Sequence, residues 1–184
     1  MGRRPQPRIR QVLLAACTDE LLRTGLSGLT LSSVARAVGT SPRMLIYHFT
    51  TRDALVRGML HEARRQQRDL FGDILAPQAG RTYGEVLTDA WSRLTQADAL
   101  AYTRLFREVH DLPPERSPWP EFRRISIEDW LPVAEAGLRA DGHQAPGDLA
   151  TLLVAAFRGL LLDRDTTGDH ERTTAAIQAL ASLL

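Results

Sequence analysis

The stretch Thr30 to Asp53, TLSSVARAVGTSPRMLIYHFTTRD, constrains this chain more than any other, because each of its start and stop signals has a plain physical reading. Thr30 carries the hydroxyl that an N-cap needs, and Leu31, Val34, Ala35 and Val38 follow at i, i+3, i+4 and i+7, one apolar stripe on a short helix. Gly39 ends that helix, since glycine tolerates the left-handed conformation with which helices commonly close. Thr40 and Ser41 form a tight turn. Ser41 then caps a second helix, with Pro42 at the first helical position, where its missing N–H costs nothing. After Phe49, Thr50 or Thr51 caps a third helix, and Asp53 lies in its first turn, where a negative charge suits the helix dipole. Two helices joined by about three residues have the spacing of a helix-turn-helix unit, whose second helix enters the major groove of DNA while the first crosses the backbone.

Charge supports a polyanionic partner for this end of the chain. The net charge is +1, with no lysine, so every basic residue is arginine. That small number conceals an asymmetry: residues 1 to 68 carry 12 Arg against 4 acids, and residues 69 to 184 carry 11 Arg against 18. A basic N-terminal part suits DNA, and an acidic remainder argues against the whole surface binding it. Arginine also suits bidentate contacts to phosphate and guanine. Residues 1 to 7, with Arg3 and Arg4, read as an unstructured arm, either a plain tail or a strand of arginines in the minor groove.

The remaining periodicities are helical. Ile9, Val12, Leu13 and Ala16 form the expected buried stripe of a first helix that ends before Gly25, and Cys17 on it reads as a small buried hydrophobe. A connecting helix runs from about Thr51 to beyond Leu70, and Pro77 and Gly80 break the chain after it. Two further stripes are Val86, Leu87, Ala90, Trp91, Leu94 and Tyr102, Leu105, Phe106, Val109. A proline-rich loop around Trp119 precedes a helix through Phe122, Ile125, Ile127, Trp130 and Leu131, which Pro132 should kink or split. Leu149, Leu152, Leu153, Ala156, Phe157 and Leu160 occupy one face of the next helix, with Val154, Leu161 and Leu162 beyond it. A helix apolar nearly all round needs covering on both sides, most simply by a second subunit. Arg158 on that apolar surface calls for an acid across the interface or a negative group on a ligand. The last helix carries Thr173, Ala176, Ile177, Leu180, Ala181 and Leu184.

Leu45, Tyr47, His48 and Phe49 followed by Arg52 and Leu55, behind Val34, Ala35, Gly39 and Ser41, resemble the N-terminal domain of the TetR family of bacterial transcriptional regulators over roughly residues 8 to 60. Ile46 replaces an aromatic residue common in the family, and Arg43 stands where a small residue is frequent. The resemblance implies an all-α protomer: a three-helix helix-turn-helix domain over residues 1–50, and a helical ligand-binding and dimerisation domain over 51–184. It implies DNA contacts from Thr30, Ser32, Ser33, Arg36, Ser41, Pro42, Arg43, Met44, Tyr47, His48 and Arg52, with Leu45 and Phe49 as core. Arg43 is the candidate for base readout; Tyr47, His48 and Arg52 are candidates for phosphate. Trp91, Tyr102, Phe106, His110, Trp130 and Phe157 are candidates for an effector pocket, although aromatics at helical spacing are ordinarily core. Residues from about 145 to 184 would form a four-helix dimer bundle with a second copy.

Catalytic and metal motifs do not occur. His61-Glu62 and His170-Glu171 lack the second histidine of a zinc helix, and the chain has no glycine-rich phosphate loop, Gly-x-Ser-x-Gly elbow or cysteine pair. No catalytic residue, metal or cofactor is therefore expected. The single cysteine fits a reducing cytoplasm. The apolar run Val12 to Ala16 is shorter than the roughly 7 to 15 residues of an export signal, and no run approaches the roughly 20 of a membrane span. The expected partners are thus an operator in double-stranded DNA, a small-molecule effector and a second copy of the chain, without a membrane. Rival readings are a DNA-binding regulator whose C-terminal domain serves only dimerisation or protein partners, and a helical enzyme or metal-binding bundle.

Overall fold

The computed structural model describes residues 7–184, so Arg3 and Arg4 of the expected arm lie outside the described residues. Among the described residues there is no strand. The helices are α1 (Pro7–Thr24), α2 (Leu31–Ala37), α3 (Pro42–Phe49), α4 (Arg52–Phe71), α5 (Tyr83–Leu94), α6 (Ala97–Asp111), α7 (Phe122–Glu128), α8 (Leu131–Ala140), α9 (Pro146–Thr167) and α10 (His170–Ser182), with one 3-10 turn at Pro114–Arg116. The all-α class expected from the sequence is the class observed. The helix expected through Phe122 and Leu131 is split in two, and Pro132 lies in the first turn of α8, where proline is tolerated.

Packing divides the chain into two compact units. The first comprises the residues up to Leu70 together with Ala101–Phe122, so the connecting helix and the proline-rich loop pack with the N-terminal helices. Its core holds Cys17 and Leu21 of α1, Val34 and Ala35 of α2, Leu45 and Phe49 of α3, Leu55, Met59, Leu60 and Ala63 of α4, and Leu105 and Val109 of α6. The phase of α1 differs from the sequence expectation. Ile9 and Val12 are 50% and 67% exposed, whereas Cys17, Thr18 and Leu21 are fully buried. Thr18 fits that apolar face because its hydroxyl donates to the Leu14 carbonyl, 2.9 Å away. Burial pushes the Cys17 thiol up to about 11, so it stays protonated.

The second unit, Phe71–Leu100 with Arg123–Leu184, packs α5, α8, α9 and α10 around Tyr83, Val86, Leu87, Trp91, Leu138, Leu153, Val154, Phe157, Leu161 and Ile177. Thr82 starts α5 with a reciprocal capping box, its hydroxyl accepting from Glu85 N–H while the Glu85 carboxylate accepts from Thr82 N–H. Tyr83 then points inward. Its hydroxyl donates to the Leu75 carbonyl at 3.2 Å, and burial pushes its pKa up to about 12. Trp91 Nε1 donates to Thr174 Oγ at 3.1 Å, joining α5 to α10. Gly168, with φ +70°, turns the chain from α9 into α10, and Arg172 holds the turn through Asp163 and Asp169, keeping the Asp163 carboxyl below the ordinary carboxylate range. On α9 the buried face is Ala150, Leu153, Val154, Phe157 and Leu161. Leu152, expected with that face, is 64% exposed, and Leu162 is 49% exposed.

Gly137 on α8 has no room for a side chain, because a Cβ there would overlap the Tyr83 ring. Gly137→Ala is therefore expected to destabilise the fold by about 1 to 3 kcal/mol despite alanine's better helix propensity. Thermal denaturation checks this, and an unchanged midpoint would show that the ring moves aside without cost.

Candidate nucleic-acid interface

The reading unit is built from its caps upward. Thr30 caps α2: its hydroxyl accepts from Ser33 N–H at 3.0 Å, and Thr30 N–H donates to Ser33 Oγ at 3.0 Å, a capping box closed by a serine. Gly39 ends α2 with φ +69°. Gly39 N–H donates to the Arg36 carbonyl and Thr40 N–H to the Ala35 carbonyl, the paired bonds of a Schellman motif. Ser41 starts α3 by accepting from Met44 N–H at 3.2 Å, with Pro42 behind it. Thr30, Ser33, Ser41 and Pro42 thus have structural duties that fix α2 and α3.

Leu45 and Phe49 anchor α3 and are 0% and 2% exposed, as expected. The opposite face is open: Arg43 is exposed, Met44 is 42% exposed and Tyr47 46%. Arg43 has no hydrogen-bond or ion-pair partner among the described residues, so its guanidinium is available to a base edge or a phosphate. Ser32 and Arg36 on α2 are exposed as well. Arg52, at the start of α4, lies 3.5 Å by Nη2 from the Leu29 carbonyl and 3.7 Å by Nη1 from Asp53; both contacts are long, leaving most of its hydrogen-bonding capacity unused.

His48 is placed differently from its neighbours. It is only 8% exposed, with its ring edge-on to Tyr47 at 5.1 Å and 6.5 Å from Phe49, and its Nδ1 is buried without a hydrogen-bond partner. Little of the ring reaches solvent, so its part at the surface is smaller than the sequence suggests. Two residues absent from the expected set stand at the same end of α3. Arg10 places its guanidinium 4.9 Å over the Phe49 ring and donates from Nε to the His48 carbonyl at 3.3 Å, a cation at the negative end of the helix dipole. Ile46, on the same helix, is 36% exposed. The arginine-rich start of the chain was the sequence signal for Arg10, but its direction depends on the phase of α1.

The link from α3 to α4 is tight. Thr50 has φ +72°, an uncommon conformation for a β-branched residue, and Thr51 N–H donates back to the Phe49 carbonyl at 2.9 Å, a three-residue γ-turn. Thr51 Oγ then accepts from Ala54 N–H at 3.0 Å and caps α4.

The aromatic candidates for an effector site fall into two groups. Trp91 and Phe157, 6.0 Å apart edge to face, lie with Trp130 in the second unit. Tyr102, Phe106 and His110 lie on α6 in the first unit: Tyr102 donates to Gln66 Oε1 at 3.2 Å, and the Phe106 and His110 rings are 4.7 Å and 5.4 Å from Phe122. Trp119 joins that second group, stacked 4.0 Å from His61, whose pKa is lowered by burial and by nearby Arg57. Among the described residues no group of three or more His, Cys, Asp or Glu is placed to hold a metal, and no helix is long and apolar enough to cross a membrane.

Ser41→Ala should cost about 1 kcal/mol of stability, the usual value of an N-cap hydroxyl. Urea denaturation should show a lower midpoint at unchanged slope, and an unchanged midpoint would mean that solvent replaces the cap.

Residues 13–59 match the family model of bacterial regulatory proteins, tetR family. No curated protein gives a significant match. Solved structures similar over nearly the whole chain include a transcriptional regulator from Rhodococcus sp. Rha1, 22% identical, TM-score 0.75, covering 95% of this chain and 94% of that one. A putative TetR-family regulator from Rhodococcus sp. is 19% identical with TM-score 0.65, covering 96% and 98%. The multidrug binding protein EbrR, complexed with imidazole, is 22% identical with TM-score 0.67, covering 98% and 93%.

Proposed function

We propose that this chain, whose residues 13–59 match the family model of bacterial regulatory proteins of the tetR family, works as a one-component switch, a homodimer that binds a near-palindromic operator and releases it when a small apolar or aromatic ligand binds. The observation that carries the DNA-binding part is the open face of α3. Arg43, Met44 and Tyr47 stand exposed on a helix that is capped at Ser41 and anchored by Leu45 and Phe49. Such a helix can enter a major groove without losing its footing. Arg43 reads a guanine; Arg52, Arg36, Ser32 and Tyr47 contact phosphates, which fix register without reading sequence.

Dimerisation is supported by what α9 and α10 leave uncovered. Leu152, Ala155, Gly159 and Leu162 follow at i, i+3, i+7 and i+10 on the exposed side of α9, and Ala175, Ala179 and Leu183 are exposed on or just after α10. A Cβ at Gly159 would meet nothing within 4 Å, which leaves room for a close helix crossing. A stripe of small and branched apolar residues at that spacing suits a helix of a second copy. Two recognition helices related by the dimer axis would then read half-sites one or more turns of about 34 to 36 Å apart.

Effector release rests on the aromatic groups and on EbrR, which is described as a multidrug binding protein. A ligand that favours the non-binding arrangement by about 1 to 3 kcal/mol is enough to shift occupancy 5- to 150-fold. Repression, the simpler outcome of such release, is the mode we propose. Trp91 and Phe157 also have sufficient reason to be core, which favours a second reading in which the C-terminal helices serve only dimerisation or a protein partner. Tryptophan fluorescence during titration with a library of apolar compounds separates the two: a saturable change supports sensing, and a flat response across the library supports the second reading.

Arg43→Ala should relax sequence preference at one operator position by about 1 to 3 kcal/mol, whereas Arg52→Ala should weaken binding to every sequence and reduce the salt slope by about one. Binding assays on operator variants at several salt concentrations test both, and the reverse pattern would defeat the assignment. Leu152→Glu should shift the chain from dimer to monomer in sedimentation experiments while leaving its helical circular dichroism unchanged. A monomeric parent chain, or a variant that stays dimeric, would rule out this face as the interface.

A further inference from the structure

The loop between α1 and α2 is held by a side chain from a distant part of the sequence. Glu108 Oε2, on α6, accepts from the N–H groups of both Leu26 and Ser27, at 2.9 and 3.0 Å. The same carboxylate lies against Gly25, where a Cβ would overlap Oε1 and displace it, and Gly25 has φ +72°, a conformation that strains any other side chain. Successive backbone N–H groups beside a left-handed residue make a concave anion site, and here the anion is internal.

The location is electrostatically awkward. Gly25 N–H donates to the Leu21 carbonyl, so the carboxylate sits beside the negative end of the α1 dipole, an arrangement that the dipole disfavours. Two charge-assisted bonds to backbone N–H groups hold it there against that field. The loop it grips leads directly into α2. Leu29 N–H donates to the Leu26 carbonyl at 3.2 Å, and Thr30 is the N-cap of α2. Glu108 therefore acts on the start of the helix-turn-helix through a chain of hydrogen bonds four residues long. It shares α6 with Tyr102, Phe106 and His110, the three aromatic candidates of the first unit.

We propose that Glu108 is a positioning residue for DNA binding: by clamping Leu26 and Ser27 it sets the height and tilt at which α2, and through it α3, meets the operator. The inference rests on the reading of the chain as a DNA-binding regulator and extends it to a residue that touches no DNA. It also places the clamp on the helix that carries the candidate ligand residues, so a shift of α6 is felt at the loop without passing through α4.

The test uses the full chain and an operator selected from a random-sequence DNA library by the unaltered protein. Glu108→Ala should lower operator affinity about tenfold, within the usual range of coupling between sites, and leave the salt slope unchanged because no phosphate contact is lost. Amide hydrogen exchange at Leu26 and Ser27 should accelerate in the same variant. Glu108→Gln, which keeps the acceptor oxygen and the shape, should recover part of both effects. A purely structural role would lower the melting temperature and leave the affinity of the folded fraction as it was, which overturns the proposal; so does exchange at Leu26 and Ser27 that stays slow. If the unaltered chain selects no sequence, the DNA-binding reading falls and this inference with it. Selection by the unaltered chain with equal binding by Glu108→Ala defeats the clamp alone.

Discussion

An eight-residue helix is too short to persist in water alone, since isolated helices of fewer than about 12 residues are marginal. Everything that α3 does therefore depends on the burial of Leu45 and Phe49, each of which contributes about 2 to 3 kcal/mol by leaving water. With those two side chains sunk into the core beside Cys17, Leu21, Val34 and Ala35, the other face of the helix is free to be polar and exposed. Arg43 and Tyr47 stand exposed on that face, since the anchoring is done by Leu45 and Phe49.

Around that anchor the chain uses hydrogen bonds to fix orientation. Ser41 caps the start of α3, and Arg10 closes its end through the His48 carbonyl and the Phe49 ring. The γ-turn at Thr50 joins it rigidly to α4, and Glu108 holds the loop ahead of α2. A helix fixed at both ends and through its neighbours has few ways to move separately, which is what the proposed positioning on DNA requires. The strain at Thr50 is sustained by the packing of Phe49 on one side and Leu55 on the other.

The second unit follows a different physical logic. Its core is continuous from α5 through α8 and α9 to α10, and single polar atoms inside it are satisfied locally, Tyr83 by Leu75 and Trp91 by Thr174. What it leaves apolar is a surface on α9 and α10, where the spacing of Leu152, Gly159 and Leu162 is that of a helix seam. The exposed polar face of α3 and the exposed apolar face of α9 and α10 thus lie in different parts of the chain, and charge is divided as well, with 12 Arg against 4 acids in residues 1–68 and 11 against 18 in residues 69–184.

The sequence by itself determined the helix-turn-helix, because the relevant signals are local. A hydroxyl before a helix, a glycine after it and a proline at its first position act on their immediate backbone, so Thr30, Gly39, Ser41 and Pro42 are found doing what their order implied. It also determined the all-α class and the split at Pro132. Which face of a helix is buried was decided only by tertiary packing wherever a helix carries apolar residues on two sides. That is why α1 buries Thr18 and Leu21 while Ile9 and Val12 face out, and why Leu152 leaves the core of α9. His48 turned inward for the same reason, and the grip of Glu108 on Leu26 and Ser27 spans about 80 residues of sequence. Periodicity reports that a stripe exists, and only the neighbours that a fold brings to it decide which stripe becomes core.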